Sequence, residues 1–215
     1  MELFFKIYEP IVENAEHIDV LTVKFKVTKQ SLTGLFSPNW LSDEIINVYL
    51  KILERDSNFT VRVVDTFWYN TINKKVSAKR LKKDADIFIK RLVLIPIHLG
   101  IHWCLCAVDN INKSITYYDS LHSNNDKCLE VIENYLQSLG EKRWSKIHEK
   151  NIVLQTNLYD CGVYTYFFAK QLIMSESLQK FSSNMNDFRI EMLCSILSNC
   201  KAMHKEKPKN VSEMI

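Results

Sequence analysis

Residues 102–120 read His102-Trp103-Cys104-Leu105-Cys106-Ala107-Val108-Asp109-Asn110-Ile111-Asn112-Lys113-Ser114-Ile115-Thr116-Tyr117-Tyr118-Asp119-Ser120. Two apolar runs, His102 to Asp109 and Ser114 to Asp119, flank Asn110-Ile111-Asn112-Lys113, and this spacing predicts a β-hairpin. Just upstream, Arg91 to His98 is a third short apolar run, closed by Leu99-Gly100, and reads as a neighbouring central strand. Downstream, Asp126 to Leu139 carries Leu129, Val131, Ile132, Tyr135, Leu136 and Leu139 on one broad face, a helical pattern. Cys161 to Met174 is apolar at helical intervals without Pro, so a buried helix is expected to begin at or near Cys161. A last helix is expected from about Asn186 to Leu197, and Asn151 to Leu154 reads as one more strand.

Upstream of the hairpin, Val20 to Thr28 alternates branched and basic residues like a single strand, and Ser31 to Pro38 is a turn-rich connector. From Leu41 the set Ile45, Ile46, Tyr49, Leu50 and Leu53 recurs at helical spacing behind Ser42, Asp43 and Glu44, an acidic helix start. Periodicity does not decide between strand and helix for Val61 to Tyr69. These elements together predict an α+β domain with a small mixed sheet over about 20–198, an irregular lead-in over 1–19 and a polar tail over 199–215.

A chain of 215 residues is of single-domain length and can bury enough surface to fold without staples. No apolar run approaches the roughly 18 residues of a membrane helix. The start, Met1-Glu2-Leu3-Phe4-Phe5-Lys6, lacks the order of a secretory signal, so an intracellular protein is expected. The net charge of +3 is too small to imply nucleic-acid binding. Lys79 to Lys83, the one basic run, reads as a solvated helix face. Four glycines, 34, 100, 140 and 162, cannot build the common nucleotide-cradling loops, and no cofactor is expected. The cysteines, 104, 106, 128, 161, 194 and 200, include no CxxC pair and read as thiols rather than disulfides. No metal site is expected either. His102, Cys104 and Cys106 share a strand face, but their ~6.8 Å steps are too long for ligands that must lie ~2 Å from one zinc ion.

Cys161 stands between Asp160 and Gly162 at the start of a hydrophobic helix. The free N–H groups and partial positive charge of a helix N-terminus favour a thiolate. A cysteine nucleophile also needs a base, itself oriented by a third group. His102 and Asp119 stand at adjacent ends of the hairpin, where a carboxylate can meet an imidazole and fix its tautomer. Gln155, six residues before Cys161, offers an amide N–H to a developing oxyanion, with the Cys161 backbone N–H as a second donor. Each residue alone is equally readable as structural, since free cysteines are among the most buried residue types.

Together, His102-Trp103, the tract Ile115-Thr116-Tyr117-Tyr118-Asp119-Ser120 and Gln155-x-Asn157-x-x-Asp160-Cys161-Gly162 resemble the SUMO-specific cysteine proteases, the sentrin- or ubiquitin-like-protein-specific proteases. Trp40-Leu41-Ser42-Asp43-Glu44-Ile45-Ile46-Asn47 resembles the family's early Trp-Leu-x-Asp-x-Ile-Ile motif. Ile95-Pro96-Ile97-His98-Leu99-Gly100 resembles the strand before its histidine, and Asp187-Phe188-Arg189 to Ile196 its closing helix. The resemblance runs from about residue 20 to about 197, in the family's order.

The resemblance implies a papain-like (adenain-like) fold. It implies Cys161 as nucleophile, His102 as base then acid, Asp119 as its orienting partner and Gln155 in the oxyanion hole. Trp40 and Trp103 would cover a narrow tunnel for a C-terminal Gly-Gly, which passes because glycine has no Cβ. Asp43, Phe67, Arg80 and His98 match further positions that contact the modifier. The implied activity is cleavage after the Gly-Gly of SUMO, in precursors or lysine conjugates, by a monomer of the nucleus or cytoplasm. NEDD8 or ubiquitin is the alternative modifier, and a silent modifier-binding module the alternative role. Three departures stand out: Leu154 where the family usually has Gln, Leu158-Tyr159 where many members have Gly-Ser, and Ser42 for a common Asn. A tyrosine beside this aspartate also occurs in members that process NEDD8. A backbone with φ > 0 at position 158 would strain Leu158.

Overall fold

The computed structural model describes residues 17–20, 22–36, 38–58, 60–74, 84–140, 143–179 and 184–200. An antiparallel hairpin of β1 (His17–Val20) and β2 (Phe25–Thr28) leads into the short α1 (Lys29–Thr33) and then α2 (Asp43–Asp56). Next come β3 (Val61–Val63), α3 (Trp68–Ile72), a 3₁₀ turn at Ala85–Phe88, β4 (Leu92–His98), β5 (Trp103–Asp109) and β6 (Ser114–Tyr118). The chain continues through α4 (Asp126–Ser138), β7 (Ser145–His148), α5 (Cys161–Met174) and α6 (Met185–Ser198).

Strands β3 to β7 form one mixed sheet in sequential order. The three central strands are antiparallel, while β3 and β7 pair parallel to β4 and β6 at the edges. Strand alternation divides the apolar residues between the two faces. Leu92, Leu94, Trp103, Leu105 and Ala107 pack toward α2, α5 and α6, whereas Val93, Ile95, Ile97, Cys104, Cys106 and Val108 pack toward α3 and α4. Each fully buried aliphatic side chain contributes about 1.5–3 kcal/mol, so both faces stabilise the sheet.

Helix α2 begins as its sequence expects, with the Ser42 side chain accepting the Ile45 N–H and Asp43 and Glu44 in the first turn. Helix α6 begins with a capping box between Asn184 and Asp187. Helix α5 is apolar on all sides and buried over its first nine residues, which suits a central core helix. Tyr49 of α2 donates to Tyr166 of α5, and Tyr166 to Glu191 of α6, tying these helices together.

Several elements differ from expectation. The segment read as one strand over 20–28 is the β1–β2 hairpin, its turn made by Lys24 in the left-handed region with φ of 58°. Part of the connector after Ser31 is helical, because Thr28 caps α1 through the Ser31 N–H. Val61 to Tyr69 holds both alternatives, strand β3 and the start of α3. Among the described residues the last strand is β7, at Ser145–His148, and not Asn151 to Leu154. β7 is an exposed edge with little apolar character, so its sequence carries no alternation to read. Val20 bridges Cys200, joining the two ends of the described chain. Lys79 to Lys83 lies outside the described residues. Among the described residues no helix is long and apolar enough to cross a membrane.

Candidate active site

Hairpin register sets the first half of the site. Gly100, with φ of 91°, makes the turn between β4 and β5, a conformation that suits glycine. The turn is closed by the Leu99 N–H donating to the His102 carbonyl at 2.9 Å. His102 thus stands just before β5 and Asp119 just after β6, and His102 Nε2 meets Asp119 Oδ1 at 2.7 Å. The same oxygen accepts the Leu121 N–H at 2.8 Å. Burial disfavours charge on His102, but hydrogen bonds to Asp119, Cys104 and Cys161 prevail and push its pKa up to about 12. Burial also works against ionised Asp119. There the bonds from His102 and the Leu121 N–H win and hold the carboxyl below its ordinary range.

The second half is a loop held by side chains. Cys161 is the first residue of α5 and only 2% exposed, with Asp160 in the N-cap position. Gln155 Oε1 accepts from Ser120 Oγ at 2.6 Å, which ties the loop to the residue after Asp119. Its Nε2 donates to the Asn157 carbonyl at 2.7 Å, fixing the amide's orientation. Asn157 Oδ1 accepts the N–H groups of Tyr159 and Asp160, while its Nδ2 donates to Asp160 Oδ2 at 2.7 Å. Arg189 of α6 binds Asp160 Oδ1 through Nε at 3.1 Å and Nη2 at 2.7 Å, and both side chains are buried. Arg189 also donates to the carbonyls of Gly34 and Asn39. One cation therefore joins the cysteine loop to the segment that carries Trp40. Sequence reasoning placed Arg189 only in a closing helix. The signal was there: Arg189 shares its stripe with Met192, Leu193 and Ile196, and a cation on an apolar stripe needs a buried anion.

The two tryptophans lie in different surroundings. Trp103 is buried, donates from Nε1 to the Leu41 carbonyl at 3.0 Å and stacks on His98 with centroids 4.2 Å apart. Trp40 is 55% exposed and donates to the Leu158 carbonyl at 2.8 Å. Leu41 links the two indoles and packs on Gly162, where an added Cβ would come 3.0 Å from the Leu41 Cβ. Gly162 is thus needed for close approach. Asp43, Phe67, His98 and Trp103 come together around a cavity of about 220 Å³, with Leu41, Ser42, Thr66 and Asn70. Trp40 instead borders a neighbouring cavity with Pro38, Asn39, Leu158 and Tyr159. Arg80 lies outside the described residues. Leu158 does not have positive φ, so the feared strain is absent, and its side chain is exposed.

Ligands that diverge along one strand can converge with one from the strand beside it. Among the described residues, His102, Cys104 and Asp119 bring ligand atoms within 4.8 Å of one another, and Cys106 is not part of that set.

A buried thiol at a helix start, a histidine paired with a carboxylate and an oriented glutamine amide are the parts of a thiol hydrolase. Comparison with known proteins agrees with that chemistry. The profile of the Ulp1 protease family, C-terminal catalytic domain, matches residues 39–202. A sentrin-specific protease of Caenorhabditis elegans is 32% identical over 201 residues, covering 86% of this chain and 29% of the relative. Sentrin-specific protease 3 of Homo sapiens is 32% identical over 185 residues, covering 81% and 32% respectively. The chain thus spans about a third of the length of these curated relatives. The solved C-terminal Ulp1 protease domain, in complex with Smt3, the yeast ortholog of SUMO, superposes with a TM-score of 0.80. That pair is 21% identical over 93% of this chain and 96% of the other, so the papain-like α+β fold is shared. With three quarters of its length matched by that profile, this chain belongs to the Ulp1 protease family, as a copy of its C-terminal catalytic domain.

Proposed function

We propose that this domain is a thiol isopeptidase and endopeptidase that cleaves after the C-terminal Gly-Gly of SUMO, in precursors and in lysine conjugates. The observation that carries the reading is the 2.7 Å bond between His102 and Asp119, in a chain whose Cys161 opens the buried helix α5. The Cys161 thiolate attacks the glycine carbonyl carbon, and the oxyanion takes hydrogen bonds from Gln155 Nε2 and the Cys161 N–H. His102, holding its proton, donates it to the departing amine as the C–N bond breaks. The resulting thioester is hydrolysed by a water that gives a proton to His102, and the free modifier leaves as a carboxylate. Asp119 holds the ring and its charge throughout.

Trp40 and Trp103 are proposed to enclose the Gly-Gly, with Leu41 setting their separation. Asp43, Phe67 and His98, which share one cavity, and Arg80 are proposed as contacts to the body of the modifier. SUMO as partner is supported by the names of the sentrin-specific relatives and by the Smt3 complex of the structural neighbour. Six free cysteines suit the reducing nucleus or cytoplasm, the compartments we propose. The test mixes the folded domain with SUMO, NEDD8 and ubiquitin bearing C-terminal electrophiles, with Cys161→Ala as control. An adduct at Cys161 with SUMO alone is expected. An adduct only with NEDD8 or ubiquitin would keep the chemistry and replace the modifier; no adduct would leave a binding module.

A further inference from the structure

The pairing that places Asp119 beside His102 also places a thiol between them. The β5–β6 ladder pairs Leu105 with Tyr118, so its next step sets Cys104 opposite Asp119. Cross-strand neighbours carry Cβ atoms about 4.5–5.5 Å apart, within reach of a shared ion. Cys104 is 1% exposed and Asp119 2% exposed, so both are shielded from bulk water beside His102. A nitrogen of His102, the Cys104 sulfur and an Asp119 oxygen all lie within 4.8 Å of one another. Imidazole nitrogen, thiolate and carboxylate are the three ligand types of zinc, which bind at about 2.0–2.3 Å and so stand roughly 3.5 Å apart around a tetrahedral ion. Side-chain rotations of about 1 Å, opening the 2.7 Å His102–Asp119 pair and drawing in the longer separations, would complete such a set.

A second observation also points to a cation. Asp119 Oδ2 is buried and has no hydrogen-bond partner. The Tyr117 hydroxyl beside Cys104 is in the same position. A buried carboxylate oxygen without a donor is rare and calls for a physical reason, and a ligated cation supplies one.

We propose that His102, Cys104 and Asp119 form a reversible inhibitory site for a thiophilic divalent cation of the zinc class. The ion enters between His102 Nε2 and Asp119, replacing the proton they share. The proton on Nε2 and the Cys104 thiol proton leave to solvent, and no electron is transferred. The imidazole is then neither acid nor base for Cys161, while Cys161 itself stays unligated. The device is distinct from a metal caught between the nucleophile and its histidine.

Cobalt(II) is the probe, read by the near-ultraviolet charge-transfer band of a cobalt–thiolate bond. This readout needs no substrate, so it stands apart from the proposed modifier specificity. With Cys161→Ala, cobalt should give the band, and zinc should displace it. The band should vanish in Cys161→Ala/Cys104→Ser and weaken at least tenfold in apparent affinity in Cys161→Ala/Asp119→Asn, with thermal unfolding confirming that each variant is folded. A band that requires Cys161, a band that survives Cys104→Ser, or no band at all would overturn the proposal. If Cys104→Ser does not fold, unchanged affinity in the Asp119→Asn variant would overturn it equally.

Discussion

The two halves of the candidate site are built by different means. On the hairpin side, His102 and Asp119 are placed by backbone register between β5 and β6, and one 2.7 Å bond completes the arrangement. On the loop side, Gln155 and Cys161 are separated by irregular chain, and Asn157, Asp160 and Arg189 supply the order that a ladder would otherwise provide. Register is shared among many backbone bonds and tolerates side-chain changes. The loop depends on a few buried polar groups, each of which becomes a liability once its partner is removed. Substitutions on the hairpin side should therefore act first on rate, with the His102–Asp119 ion pair as their only cost to folding. Substitutions in the loop network should act on both.

Cys161→Ala should give the largest effect, total loss of turnover with modifier binding retained, read by electrophile labelling and by a binding titration. Asp119→Ala should lower kcat by roughly 10³–10⁴-fold with KM little changed, because it acts on His102 rather than on substrate. A matching loss of stability in urea would break the contrast between the halves. Arg189→Ala should lower the unfolding free energy by about 3–5 kcal/mol, since it leaves Asp160 buried and unpaired. Its kcat, measured on the folded fraction, should fall as well. Stability unchanged in urea would refute the role assigned to the network. Gln155→Ala should lower kcat by about 10²–10³-fold, the usual cost of losing one oxyanion donor.

The hairpin side also has a pH dependence of its own. His102 keeps its proton in the folded chain up to about 12 but releases it near the ordinary histidine value when unfolded. The stability it contributes is whole below about 6.5 and declines as pH rises toward 12. The urea midpoint of the native sequence should fall between pH 7 and pH 9, and fall less steeply in Asp119→Asn. Equal slopes would remove the ion pair from the account.

The hairpin side was legible in the sequence because two continuous apolar runs with polar boundaries show where β5 and β6 end, and His102 and Asp119 stand at those ends. Cys161 was legible because an apolar helix begins there. The network behind it was not: Asp160 and Arg189 are 29 positions apart, and no local pattern connects them. Cys104 was judged along its own strand, where its neighbours diverge, and the contact with Asp119 runs across strands. β7 escaped for a different reason, since an exposed edge strand has no apolar face to reveal it.

Arg189 has a consequence for how the domain comes into being. Its acceptors at Gly34 and Asn39 precede the cysteine loop by more than a hundred residues. The guanidinium that fastens them together follows both, in α6. A nascent chain carries its thiol for many residues before the loop around it is anchored, and domains fold as units once their parts are present. The order of the cysteine loop thus waits on α6, although the loop itself lies earlier in the chain.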